Sequence, residues 1–106
     1  MLEKTRKMRS KPFQHHMVKT MHINNIQNYK RFINWVSGDF DLYLKLESKE
    51  LNVHFPGGKF KIKKLETVND SVHFEIEVSG SSKNSGQRMM DRITNIFNHV
   101  VSLNGE

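Results

Sequence analysis

At 106 residues the chain has room for one hydrophobic core, and it contains no cysteine, which excludes disulfides, thiolate metal sites and cysteine nucleophiles together. Its formal net charge is +6, of which five units fall within residues 1–20, where Lys4, Arg6, Lys7, Arg9, Lys11 and Lys19 are offset only by Glu3. No apolar run approaches the roughly twenty residues that span a bilayer, and no apolar stretch follows the charged start as a secretory signal would require.

Residues 1–20 lack a sustained period and are interrupted by Pro12. They read as a basic, flexible N-terminal arm, ahead of a single α+β domain over 21–106. From Ile23 the pattern turns helical. Ile26, Tyr29, Ile33 and Val36 share one face, with Phe32 and Trp35 widening it. Asn24 with Gln27 suggests a capping box and Gly38 a stop, so the spacing predicts a first helix over 24–37.

The period then drops to two. Phe40, Leu42, Leu44 and Leu46 are followed by Leu51, Val53 and Phe55, by Phe60 and Ile62, and by Val72, Phe74, Ile76 and Val78. Four strands result, each with one apolar face. Opposed residues must point to the same side of a sheet, so candidate turns can be tested against the alternation. A Ser48-Lys49 turn pairs Leu46 with Leu51. A Gly57-Gly58 turn pairs Phe55 with Phe60 and Val53 with Ile62. For the last hairpin, an odd loop centred on Asn69 pairs Ile62 with Ile76 and Phe60 with Val78. A two-residue Asn69-Asp70 turn would instead set Ile62 against Glu77.

A second helix follows residues 80–86, with Met89, Ile93, Ile96, Phe97 and Val100 as its buried stripe and Met90 and Val101 at the edge. The expected fold is α+β: a helix, a four-stranded antiparallel meander and a C-terminal helix, both helices on one sheet face. The core is expected to unite Phe40, Leu44, Val53, Phe60, Ile62, Phe74 and Ile76 with Phe32, Ile33, Ile93 and Phe97.

Two further groups carry charge-based chemistry. Lys59, Lys61 and Lys63 share the polar side of one strand, where they could follow a phosphate backbone. The chosen register sets Lys61 against Glu77 and Lys63 against Glu75, which weakens the local field. Tyr43, His54 and His73 add ring faces to that surface. The 80–86 segment brings Ser82, Lys83, Ser85 and Gly86 to a helix N-terminus, a setting that favours anions. It has no Gly-Lys-Ser/Thr triplet, so it is not a Walker A loop.

Catalysis finds little foothold. The carboxylate pairs Asp39/Asp41 and Glu75/Glu77 lie on exposed alternation, and no serine sits in a nucleophile elbow. The six histidines fall in no recognised ligand spacing. No metal or other cofactor is expected. The element order invites comparison with double-stranded-RNA-binding domains, but Lys83 and Arg88 stand apart where a lysine cluster would open the last helix, and topology alone carries no function.

The residues point first to a non-enzymatic, cytoplasmic, nucleic-acid-associated or regulatory protein. Its arm (Lys4, Arg6, Lys7, Arg9, Lys11, Lys19) and the Lys59/Lys61/Lys63 stripe would contact phosphates weakly and electrostatically. The competing expectation is a protein-interaction module, an adaptor or inhibitor that uses the sheet edge or open face, with a second copy of the chain among its candidate partners.

Overall fold

A computed structural model of the chain describes residues 15–40, 45–47 and 50–103, with 45–47 defined at the backbone level. The elements are β1 (His15–Asn24), α1 (Ile26–Asp39), β2 (Lys45–Glu47), β3 (Glu50–Phe55), β4 (Gly58–Val68), β5 (Ser71–Gly80) and α2 (Lys83–Leu103). Every strand pair is antiparallel, in the spatial order β1-β5-β4-β3-β2. The α+β architecture with two helices on one sheet face is therefore as expected, and the meander runs β2 to β5. Its sheet gains a fifth strand.

That fifth strand is β1, and it corrects the arm. His15 to Asn24 pair with Gly80 to Ser71 along their whole length, so the boundary placed after residue 20 falls inside a strand. Met17, Met21 and Ile23 stand opposite Val78, Phe74 and Val72, which puts them on the helix-covered side. Lys19 breaks this apolar alternation, which hides the strand from a periodicity reading. The remaining arm residues, 1–14, lie outside the described part.

Helix α1 begins two residues later than expected because Ile23 and Asn24 are committed to β1. Asn25, at φ 54°, is the cap, its side-chain oxygen accepting from the Asn28 amide at 2.9 Å. Gly38 lies inside the helix rather than ending it. The Phe40 amide still donates to Val36 O at 3.2 Å, so Phe40 closes the helix instead of opening a strand. Asp41–Leu44, and with them the expected core residue Leu44, lie outside the described residues.

From β3 to β5 the turn positions moved while the faces held. The β3–β4 turn is Pro56-Gly57, one residue earlier than expected, with Gly57 at φ 95°. Proline followed by a positive-φ glycine is the type II signature. The pairs become Phe55 with Gly58, Val53 with Phe60 and Leu51 with Ile62, replacing Phe55/Phe60 and Val53/Ile62. Apolar still meets apolar, so the core face is unchanged. Between β2 and β3 the parity differs: Glu47 opposes Leu51, and Leu46 opposes Asn52 rather than Leu51.

The β4–β5 hairpin has the expected long-range register, Ile62 with Ile76 and Phe60 with Val78, by a different local route. Its turn is the two-residue Asn69-Asp70, both at positive φ (51° and 71°), as a type I′ turn demands. A register shift between Lys64 and Glu66 then restores the parity. One extra residue in a strand does what an odd loop would have done. Leu65, the residue within that shift, is exposed.

The core lies between the sheet and the two helices. Phe32, Val36, Phe40, Val53, Phe60, Ile62, Phe74, Ile76 and Ile93 are buried, with Ile33 and Phe97 partly so. Phe74 meets Tyr29 and Phe32 at 5.3 Å each between ring centroids. Trp35, expected to widen the buried face of α1, turns outward against His99 at 4.9 Å. Arg92 clamps α2 to the end of α1, with its Nε 2.8 Å from Asp39 Oδ2 and its guanidinium 4.3 Å above the Phe40 ring.

Burial pushes the Tyr29 hydroxyl up to about 12 from an ordinary 10. The folded state holds this proton more tightly than the unfolded chain, so the contribution to stability is complete below pH 10 and is lost as pH rises through about 12. Thermal melts should fall between those values, and Tyr29→Phe should flatten that fall. An unchanged slope in the variant would remove Tyr29 as the cause.

Candidate functional site

The side of the sheet away from the helices is built by strand alternation. β1 contributes His16, Val18, Thr20 and His22, and β5 contributes His73, Glu75, Glu77 and Ser79. Lys59, Lys61 and Lys63 of β4 and Glu50, Asn52 and His54 of β3 complete it. Lys61 Nζ lies 3.5 Å from Glu77 Oε1, with both side chains about a third exposed (36% and 38%). Such a pair is worth a few tenths of a kcal/mol. Lys63 stands between Glu75 and Glu50 in the register, and Lys59 between Ser79 and His54. Glu66 joins the same side opposite His73. Three lysines thus meet four carboxylates, and the stripe is locally compensated rather than a continuous cationic track.

Within this face a shallow depression is lined by His16, Asn52, His54, Lys59, Lys61 and Ser79, among others. His16 Nδ1 is 2.9 Å from the Oγ of Ser79, whose residue is buried. The spacing matches a nucleophile and its base. Yet His16 makes no hydrogen bond to a carboxylate among the described residues, and it lies exposed on an open sheet. The bond joins β1 to β5 and satisfies a buried hydroxyl. Towards the other end of the same two strands, beyond Val18/Glu77 and Thr20/Glu75, His22 and His73 face each other at 5.6 Å between ring centroids. No group of three or more His, Asp or Glu among the described residues is arranged to hold a metal ion.

Among the described residues, the lysines singled out from the sequence do not share one surface. Lys4, Arg6, Lys7, Arg9 and Lys11 lie outside the described residues. Lys19 opposes Ile76, so it emerges on the helix side, across the sheet from Lys59, Lys61 and Lys63.

Residues 81–86 form a tightly built helix start. Ser82 Oγ accepts from the Ser85 amide at 3.1 Å and donates to Ser85 Oγ at 3.1 Å, while Ser82 O accepts from the Gly86 amide at 3.2 Å. Ser81 N donates to Gly57 O at 2.8 Å, fastening the segment to the β3–β4 turn. Ser82, Ser85 and Gly86 are thereby engaged in capping, and Lys83 projects into solvent beside them. The amides of Ser85 and Gly86 therefore have acceptors within the segment itself.

The feature the sequence reading missed is the free edge of β1. This strand ends the sheet order, and its outer backbone edge has no partner strand among the described residues. Val18 is 57% exposed on it. Beneath the edge, on the helix side, a groove is lined by residues 19–24 of β1 together with Phe97 and Val101 of α2. Met21 packs partly buried against the core there, and Met17 does so further along β1, near Gly86. The available signal was Met17, Met21 and Ile23 at even spacings in a stretch without Gly or Pro.

No helix among the described residues is long and apolar enough to cross a membrane. Comparison of the chain with protein-family models and with curated protein sequences returned no match.

Proposed function

We propose that the chain is a non-enzymatic protein-interaction module that works through the β1 edge of its sheet. The observation that carries this is a ten-residue edge strand whose outer backbone edge has no partner strand among the described residues, flanked by an apolar groove. Unpaired amides and carbonyls offer main-chain hydrogen bonds to an incoming strand, and the groove reads its alternate side chains. The edge lacks proline and carries a single formal charge, Lys19, so little guards it against pairing.

A nucleic-acid-associated role is the second reading. It is favoured by five cations between residues 4 and 11, which precede β1 in the chain. On this reading the arm supplies affinity with little sequence preference, because flexible side chains neutralise phosphates without reading base edges.

One experiment separates the two. A photo-crosslinking residue is placed at Val18 on the edge or at Ser102 on the exposed side of α2, within the full-length chain expressed in cells. Discrete protein adducts are expected from position 18 and not from 102, unchanged by nuclease. Adducts that vanish with nuclease and need residues 1–14 would replace the edge reading with the nucleic-acid one.

A further inference from the structure

We infer that the occupant of the β1 edge is the β1 strand of a second copy of this chain, paired antiparallel about a two-fold axis at Thr20. This rests on the edge-interaction reading above and names its partner.

The groove decides what kind of strand fits. It runs along residues 19–24 beside Phe97 and Val101, so an added strand must present apolar side chains at alternate positions on the helix side. β1 carries that pattern itself at Met17, Met21 and Ile23, with Lys19 as its one interruption on that side. Two copies of one strand are automatically complementary in face, because a two-fold axis normal to the sheet keeps the helix layers together.

Charge then selects the register. Opposed residues must share a face, so the centre moves in whole-residue steps that retain this parity. With Lys19 on the axis, two lysines would oppose each other directly, which is unfavourable. With Thr20 on the axis, Thr20 meets its own copy, Val18 meets His22, Lys19 meets Met21 and Met17 meets Ile23. The Lys19 stem then lies along the partner's methionine while its ammonium reaches water. Centring on Met21 leaves fewer residues paired. The Thr20 register joins positions 16–24 of each copy, giving about eight to ten inter-chain backbone hydrogen bonds.

The absence of cysteine from the chain makes the register directly measurable. Opposed antiparallel residues have Cα atoms about 4.5–5.5 Å apart, within disulfide range. Full-length T20C under mild oxidation should give at least about tenfold more disulfide-linked dimer than V18C or H22C alone, while a mixture of V18C and H22C should cross-link. The wild-type chain should sediment as a dimer whose mass is insensitive to salt, a readout independent of whether any variant folds. Wild-type protein that remains monomeric up to several hundred micromolar, or K19C cross-linking in preference to T20C, would overturn the proposal. A monomer that still forms edge-specific adducts with other proteins through position 18 would overturn it too, and leave the edge-interaction reading standing.

Discussion

Replacing Phe74 with alanine should lower the stability of the fold by about 3–5 kcal/mol, the range for truncating a large buried aromatic. The residue is fully buried in β5, the strand flanked by both β1 and β4. Its ring meets Tyr29 and Phe32 of α1 and lies 6.0 Å from that of Phe97 of α2. Truncation would open a cavity where both helices meet the sheet, and backbone pairing on each side would keep β5 from collapsing into it. Since small domains have only about 5–15 kcal/mol in total, the variant should be close to unfolded at physiological temperature. Urea titration of Phe74→Ala beside Leu65→Ala tests this, the latter expected within about 0.5 kcal/mol of wild type because Leu65 is exposed. A loss under about 1 kcal/mol for Phe74→Ala would contradict the core as described.

Gly58→Ala should be comparably damaging, at about 3 kcal/mol or more. A methyl group there would be driven into the carbonyl oxygen of Ser79 and would lie 2.7 Å from the Phe55 ring. The cross-strand partner is Gly80, where an added Cβ would lie 2.9 Å from the Gly86 amide nitrogen. The two glycines let the β3–β4 hairpin, β5 and the start of α2 approach backbone to backbone. Backbone atoms held in a ladder and a helix cap cannot move aside as a flexible side chain can. Gly38→Ala is the contrasting case, because nothing lies within 4 Å of its added carbon in α1. It should stabilise the protein by about 0.5–1 kcal/mol through helix propensity. Thermal melts of the two variants should therefore move in opposite directions, and a common direction would refute the packing at Gly58.

The apolar alternation of residues 51–78 was enough to place Phe60, Ile62, Phe74 and Ile76 on one side of the sheet, since a one-residue slip would expose the whole set. It could not say where each turn sits. A Gly57-Gly58 and a Pro56-Gly57 turn preserve the same faces, and a bulge at Lys64–Glu66 is interchangeable with an odd loop at the level of parity. Trp35 shows the same limit within a helix. It adjoins the apolar face in sequence, yet the neighbouring helix leaves it room only at the rim beside His99.

The candidate site was less legible than the core. Lys61 and Lys63 could be matched with Glu77 and Glu75 from the sequence, because cross-strand pairing follows from register. The β1 edge could not be found that way, as Lys19 interrupts its pattern and its partner residues lie 47 to 65 positions away, from Asn24/Ser71 to His15/Gly80. The engagement of Ser82, Ser85 and Gly86 in a helix cap was equally hidden, since composition cannot distinguish a loop that holds an anion from one that satisfies its own amides.

What the sequence by itself determined is therefore local and periodic: the two helices, the meander from β2 to β5, and the side of each strand that is buried. Those follow from side-chain spacing, which repeats every two residues in a strand and every 3.6 in a helix. β2 is the exception, because Leu46 opposes Asn52 and so lies on the side away from the Leu51 core face. Only the tertiary structure decided that residues 15–24 form an edge strand, that Lys19 and the Lys59/Lys61/Lys63 stripe emerge on opposite sides of the sheet, and that one long backbone edge has no partner strand among the described residues. Each depends on which distant strand lies alongside, and pairing between segments so far apart in the chain is set by the burial of Met17, Met21 and Ile23 against a core that exists only once the chain has folded.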